Sequence, residues 1–246
     1  MIEGSRPVAL VTGAAGNIAT AIALAFASAG YDLVLHHRAS SPAFHALVEE
    51  AGRRGAATQS VQADLREPAE IRRVFATLGD SRLDVLVNCA GTYAPVDFLA
   101  STPEDWLASY SLHVVSAVTC IQQAVLLMQH GGAIINIASI AAHRSPAEHG
   151  PYAASKAALL SLTRSAALAL ADRGIRVNAV SPGLVWREGL DTAWPDGVAS
   201  WRRQAPLGVP IQPDEVGGAC LFLAEAGGIT GEELVVDAGI SVQADY

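Results

Sequence analysis

An α/β fold, a parallel sheet with helices on both faces, is predicted by two regularities of the sequence. Short runs rich in Val, Leu and Ile alternate along the chain with longer Ala-rich stretches of helical period. The short runs are apolar at consecutive positions, as in strands buried on both faces. No Pro/Ser-rich linker or internal repeat interrupts the alternation, so the 246 residues are expected to form one domain, doubly wound and of Rossmann type, with about seven strands.

In chain order, the first strand is expected at Val8 to Thr12, running into a glycine-rich turn and a helix of alanines that reaches Gly30. Further strands are expected at Asp32 to His36, Ala57 to Gln62, Val85 to Asn88, Ala133 to Ala138, Arg176 to Val180 and Glu233 to Val236, with helices between them. One of these helices, Tyr152 to Ala171, carries small residues on several faces. In such a sheet, ligands bind beyond the carboxyl ends of the strands.

With 51% apolar and 16% charged residues, the chain has the material for a large buried core. Its net charge of -8 argues against nonspecific binding to nucleic acid or to an anionic membrane surface. Cys89, Cys120 and Cys220 stand apart in apolar surroundings, so buried thiols in a reducing compartment are expected, and disulfides are not. The stretch from Met1 through Glu3 and Arg6 lacks the apolar segment of a signal peptide, and no uninterrupted membrane-spanning stretch stands out. A cytoplasmic location is the expectation. His45, His130, His143 and His149 show no zinc-site spacing and no Gly-x-Ser-x-Gly elbow is present, so neither a metal site nor serine-esterase chemistry is expected.

Lys156 is the only lysine among 16 basic residues. It follows Tyr152 by one helical turn and Ser139 by seventeen positions, with Ser139 delivered from the end of a strand. An ammonium beside a phenol favours the phenolate, so the pair is expected to lower the tyrosine pKa from about 10 toward neutrality and to make a general acid/base.

The turn Thr12-Gly13-Ala14-Ala15-Gly16-Asn17-Ile18-Ala19 follows the first strand and opens a helix. Small residues there let backbone approach a pyrophosphate, and the helix N-terminus offers free N–H groups to its charge. At the end of the second strand, an enzyme using NAD would place an acid to accept the ribose hydroxyls. This chain has His36-His37-Arg38, and Arg38 can bind a 2′-phosphate through paired hydrogen bonds, so NADP(H) is the expected cofactor. Asp64, with Leu65 after it, follows the third strand as a candidate acceptor for the adenine amino group.

Together these residues resemble the short-chain dehydrogenase/reductase family over nearly the whole chain. The resemblance rests on Thr12-Gly13, Asn88-Cys89-Ala90-Gly91, Ser139 with Tyr152 and Lys156, Asn178, and Ser181-Pro182-Gly183 in that order. It implies that Ser139 binds a substrate carbonyl oxygen and Tyr152 protonates it. Lys156 is then expected to hold the nicotinamide ribose. Thr12, Gly13, Asn17, Ile18, His37, Arg38, Asp64, Leu65, Asn88, Ala90, Gly91, Pro182, Gly183 and Val185 are expected along the cofactor. The family also implies a carbonyl or alcohol substrate and a homodimer or homotetramer built through the helix that starts near Tyr152.

The chain departs from the family pattern at His113, where many members carry an Asn that helps hold a water in the proton relay. Histidine also bonds water, with a charge that varies near neutral pH. It is read as catalytic, with a packed helix residue as the alternative. Asn17 and Ala19 replace common glycines of the phosphate turn, and Asp237-Ala238-Gly239 replaces Asp-Gly-Gly. A narrower similarity to pteridine reductases rests on His36-His37-Arg38 and on Pro182-Gly183-Leu184, Trp201-Arg202 and Pro206-Leu207-Gly208. Those enzymes usually carry Asp where Ser139 stands, and serine suits a carbonyl better. A nucleotide-binding regulator without catalysis is the alternative of another class. Residues 184–208, with Trp186, Trp194, Trp201, Arg187, Arg202 and Arg203, are expected to form a substrate lid, its aromatics either a stacking wall or packing residues. His143 and His149 are expected at the substrate mouth.

Overall fold

The computed structural model describes residues 6–79 and 81–242; Met1 and Glu3 lie outside them. Seven parallel strands form one sheet in the order β3-β2-β1-β4-β5-β6-β7, flanked by helices. The strands are β1 Val8–Val11, β2 Asp32–His37, β3 Thr58–Gln62, β4 Val85–Asn88, β5 Gly132–Ile137, β6 Ile175–Pro182 and β7 Glu233–Val236. Each expected strand is present, within two residues at either end. The largest difference is β6, which continues through Ser181 and Pro182 because these pair with Val235 and Val236 of β7.

Strands β1, β2 and β4 are buried at every position, including the polar Asp32, His36 and His37 at the ends of β2 and Asn88 at the end of β4. The two edge strands differ. In β3, Ser60 and Gln62 are exposed, and in β7 Val235 is, because an edge strand has a neighbour on one side only.

The helices are α1 Asn17–Ser28, α2 Pro42–Arg53, α3 Pro68–Ala76, α4 Pro103–Tyr110, α5 Ser116–Leu127, α6 Gly150–Leu170, α7 Leu190–Ala193, α8 Pro195–Gln204 and α9 Pro213–Glu225. Helices α1 and α9 press together closely: a Cβ on Gly217 would stand 2.9 Å from the Ala21 carbonyl oxygen, so only glycine fits. A π-helical turn, Ser111–Val115, joins α4 to α5 and makes Pro103–Leu127 one uninterrupted helix. By length and composition alone it could cross a membrane, against the expectation that no such stretch exists. Its apolar excess has a structural reason. One face packs into the protein through Val114, Ala117, Cys120, Ile121 and Ala124, while Leu107, Val115 and Leu126 lie exposed on the outer side. Cys89, Cys120 and Cys220 are free thiols.

Ala238 has φ +56°, a left-handed conformation that most residues avoid and glycine adopts freely. It sits where the family pattern has glycine. Asp237 holds this corner by accepting the N–H groups of Gly239 at 2.9 Å and Ser241 at 2.8 Å, so the departure here concerns packing.

Candidate active site

A cavity of about 770 Å³ opens at the carboxyl ends of the strands, and Ser139, Tyr152 and Lys156 share its wall. Ser139 lies two residues beyond β5, where its hydroxyl oxygen accepts the Ala141 N–H at 3.1 Å and caps a short 3₁₀ turn. Tyr152 and Lys156 occupy consecutive turns of α6. The Lys156 ammonium is buried, donates to the Ile137 carbonyl at 2.7 Å, and stands 5.6 Å from the centre of the Tyr152 ring.

The expected lowering of the tyrosine pKa is not found. Burial pushes the Tyr152 phenol up to about 12, and interaction with the Ser139 hydroxyl offsets only part of the rise. Lys156 is itself desolvated, which pulls it down to about 8. Burial dominates because the phenol has lost its water, and desolvation disfavours the charged form. The Tyr152 phenol is therefore neutral across the physiological range.

The glycine turn after β1, the expected phosphate turn, is built by backbone geometry. Gly13 has φ +70°, and a Cβ there would lie 2.8 Å from the Ala90 Cα, so a side chain is excluded. Its N–H donates to His36 Nδ1 at 3.1 Å, and His36 Nε2 bonds the Ala63 carbonyl at 3.0 Å. These partners fix His36 as the neutral Nε2–H tautomer, in keeping with a pKa lowered by burial. His36 thus pins the turn to the end of β3, a role the sequence reading missed. The N-terminus of α1 carries no side-chain cap. Asn17, in place of a glycine, uses its amide to donate to the Trp186 carbonyl at 2.7 Å and so ties the turn to the start of the expected lid.

Of the expected cofactor residues, Gly13, Asn17, Ile18, His37, Arg38, Asp64, Leu65, Ala90, Gly91, Pro182, Gly183 and Val185 line the cavity. Thr12 and Asn88 do not. Thr12 is buried behind the wall, where its hydroxyl accepts the N–H groups of Cys89 and Ala90 at 2.9 and 3.1 Å. Asn88 donates to Asn136, which donates to Thr163, a polar chain crossing from β4 to α6. Both residues shape the loop after β4 from behind. Asn178 likewise serves packing, joining β6 to Ile229 and Glu232.

Asp64 is held well below the carboxylate range, at about 2, chiefly by hydrogen bonds from Arg66. Arg38 and Arg187 also line the cavity, and among the described residues neither forms an ion pair with a carboxylate. Among the described residues, the buried Nδ1 of His37 has no hydrogen-bond partner.

Of the two readings of the tryptophans, packing holds for Trp201, and none of Trp186, Trp194 and Trp201 forms a wall of the cavity. The Trp201 ring is buried against Gly183, where a Cβ would come within 2.5 Å of it, and its N–H donates to the Val209 carbonyl at 2.9 Å. Tyr93, which the sequence reading passed over, supplies the wall instead. Its ring meets Tyr152 edge-on at 4.9 Å and lies against His149 at 3.7 Å. Its place two residues after Asn88-Cys89-Ala90-Gly91 was the available signal. His143 turns away from the cavity to pair with Glu233 at 2.8 Å.

His113 lies behind the wall in the π-helical turn, with its ring 5.4 Å from that of Tyr152. It is buried, which together with the charge of Lys156 lowers its pKa to about 3. The expected variable charge is therefore absent, and both ring nitrogens are taken by protein groups.

A family model described as Enoyl-(Acyl carrier protein) reductase matches residues 13–241. The chain is 36% identical over 240 residues to a 3-oxoacyl-[acyl-carrier-protein] reductase of Synechocystis, covering 95% of this chain and 96% of that one. Among solved structures, the L-sorbose reductase of Gluconobacter frateurii, complexed with NADPH and L-sorbose, superposes with a TM-score of 0.90 at 28% identity over 98% of both chains. The acetoin dehydrogenase of Enterobacter cloacae gives 0.89, also at 28% identity and 98% of each chain. The chain belongs to the short-chain dehydrogenase/reductase family. It is an oxidoreductase of that type, from a family that binds nicotinamide cofactors and acts on small molecules.

Proposed function

We propose that this protein is an NADP(H)-dependent reductase of ketones, reversible as an alcohol dehydrogenase, with Tyr152 as the acid. The observation that carries the reading is the shared wall: Ser139, Tyr152 and Lys156 face one cavity with the phosphate turn and with Arg38. The cavity suits a phosphorylated dinucleotide. Gly13 leaves room for a ligand against the backbone, α1 presents uncapped N–H groups, and among the described residues His37 Nδ1 is buried without a partner and Arg38 and Arg187 lack carboxylate partners. No acidic side chain follows β2 to repel a 2′-phosphate.

When bound, the nicotinamide supplies the hydride. Ser139 accepts from Ala141, and its own proton, which otherwise serves the Tyr152 oxygen, turns to bond the substrate oxygen. Tyr152, neutral at working pH, releases its proton to that oxygen as negative charge develops there, because an alkoxide is a stronger base than a phenolate. The products balance as an alcohol and a phenolate, and the nearby Lys156 ammonium stabilises the phenolate once it exists. Gly13, Asn17, Ile18, His37, Arg38, Asp64, Leu65, Ala90, Gly91, Pro182, Gly183 and Val185 line the cofactor, and residues 184–208 act as a lid hinged where Asn17 holds Trp186.

Tyr93 walls the substrate side, and 3-oxoacyl, acetoin and sorbose substrates of the relatives all contain a ketone. The test is a panel of hydroxyketones, ketoses, 3-oxoacyl thioesters and pterins with NADPH. Ketone turnover is expected, with Tyr152→Phe binding NADPH normally but turning over at least about a hundredfold more slowly. Binding of NADPH without turnover of any compound makes the protein a regulator, and turnover confined to pterins makes it a ring-imine reductase.

A further inference from the structure

His113 is one of the residues at which this chain departs from the family pattern, and both of its ring nitrogens are engaged by protein groups. The Thr92 N–H donates to Nε2 at 3.1 Å, so that nitrogen carries no proton. The ring proton must then sit on Nδ1, which faces the Ser155 hydroxyl at 2.8 Å. Ser155 in turn donates to the Tyr152 carbonyl at 2.7 Å. Every proton in this chain has one consistent direction: Thr92 N–H to His113, His113 to Ser155, Ser155 to the backbone of Tyr152. Ser109, 3.2 Å from Nδ1 and 3.3 Å from the Ser155 hydroxyl, closes the group.

The two ends of this chain are the two sides of the candidate site. Thr92 precedes Tyr93, whose ring forms the aromatic wall. Tyr152 carries the phenol. The imidazole fills the gap between the loop and α6 so closely that a Cβ on Gly91 would lie 2.9 Å from Nε2, which excludes any side chain at position 91. Two ionisable groups act on the ring: Tyr152, whose ring lies 5.4 Å away, and Lys156, whose charge opposes a second proton on it. A second proton on the ring has no acceptor within the group, since Nε2 already faces a donor.

We infer that His113 is a positioning residue, held as a neutral Nδ1–H imidazole, that sets the distance between the Tyr93 wall and the Tyr152 phenol and takes no part in moving the proton. This rests on the ketone-reductase reading for its kinetic arm only, because the tautomer is observable without turnover. Its direction of charge also agrees with the strong lowering of the histidine pKa by burial.

The bonds on the two nitrogens are separable by substitution. The amide of Asn reaches the place of Nδ1, and the amide of Gln that of Nε2. His113→Asn keeps the bond to Ser155 and frees the loop at Thr92. His113→Gln keeps the loop and releases Ser155 and the first turn of α6. Losing one bond of this kind corresponds to about a tenfold effect. We expect His113→Asn to raise KM for the ketone about tenfold with kcat little changed, and His113→Gln to lower kcat about tenfold with KM little changed. NADPH affinity should stay within about threefold in both. In the wild type, ring ¹⁵N NMR should show one protonated Nδ1 and one bare Nε2 from pH 5 to 8. A ring that titrates in that interval overturns the proposal. So does a loss of kcat beyond about a hundredfold in both variants at unchanged KM, which would put the imidazole in the proton path. If the wild type turns over no ketone, the functional reading fails while the NMR result still decides the tautomer.

Discussion

Raising the pH separates two opposite accounts of Tyr152. A phenol lowered to neutrality by its lysine would be about half ionised at pH 7 and would lose its acid form tenfold per pH unit above that. The structure instead places the phenol at about 12, so the acid form persists beyond pH 9. The displacement from 10 corresponds to about 2.7 kcal/mol in favour of the neutral phenol, and only about one molecule in 10⁵ carries the phenolate at pH 7. Ketone reduction, followed by loss of NADPH absorbance at saturating cofactor, is thus expected to keep a level kcat/KM from pH 6 to 8. Alcohol oxidation needs the phenolate and is expected to rise about tenfold per pH unit over the same range. Its slope should flatten near pH 8, where Lys156, lowered to about 8, gives up the charge that stabilises the phenolate. A tenfold fall in the reductive rate between pH 7 and 8, with no change in protein integrity, would refute this account of the site.

Arg38→Ala is expected to weaken NADPH binding by about tenfold or more and to leave NADH binding nearly unchanged, as read from cofactor fluorescence titrations. An equal loss for both cofactors removes the 2′-phosphate role. Ala238→Gly relieves a left-handed backbone at φ +56° and should raise stability by about 0.5–1 kcal/mol in urea unfolding, with activity unaltered. Leu126→Glu places a charge on the outer side of the continuous helix Pro103–Leu127, where Leu107, Val115 and Leu126 are the exposed apolar residues, and should shift the protein to a smaller species in sedimentation if that side is a subunit interface. An oligomer indifferent to this change is built elsewhere, and α6, with exposed Ala154, Ala157 and Ser161, is the next surface to alter.

Much of the site was legible because its parts follow local rules. Gly13 after the first strand, Arg38 after the second, and the one-turn spacing of Tyr152 and Lys156 are each set by a few neighbouring residues, and all four reach the cavity. Thr12 and Asn88 were misplaced for a reason of the same kind: they stand beside cavity residues in sequence, but their side chains point behind the wall to Cys89 and Asn136. Tyr93 was passed over, and the two readings of the tryptophans stayed open, because an aromatic's side of a loop depends on what it packs against. For Trp201 that is Gly183, eighteen positions away.

The chain itself determined the sheet, its connections and the residues that could carry chemistry, since apolar runs, helical period and short motifs are properties of neighbouring positions. Tertiary structure alone decided their protonation and direction. Burial raised the Tyr152 phenol above its ordinary value, and two partners distant in sequence, Thr92 and Ser155, fixed the proton of His113. Desolvation and hydrogen bonding depend on everything that surrounds a group in space, and no spacing along the chain encodes them.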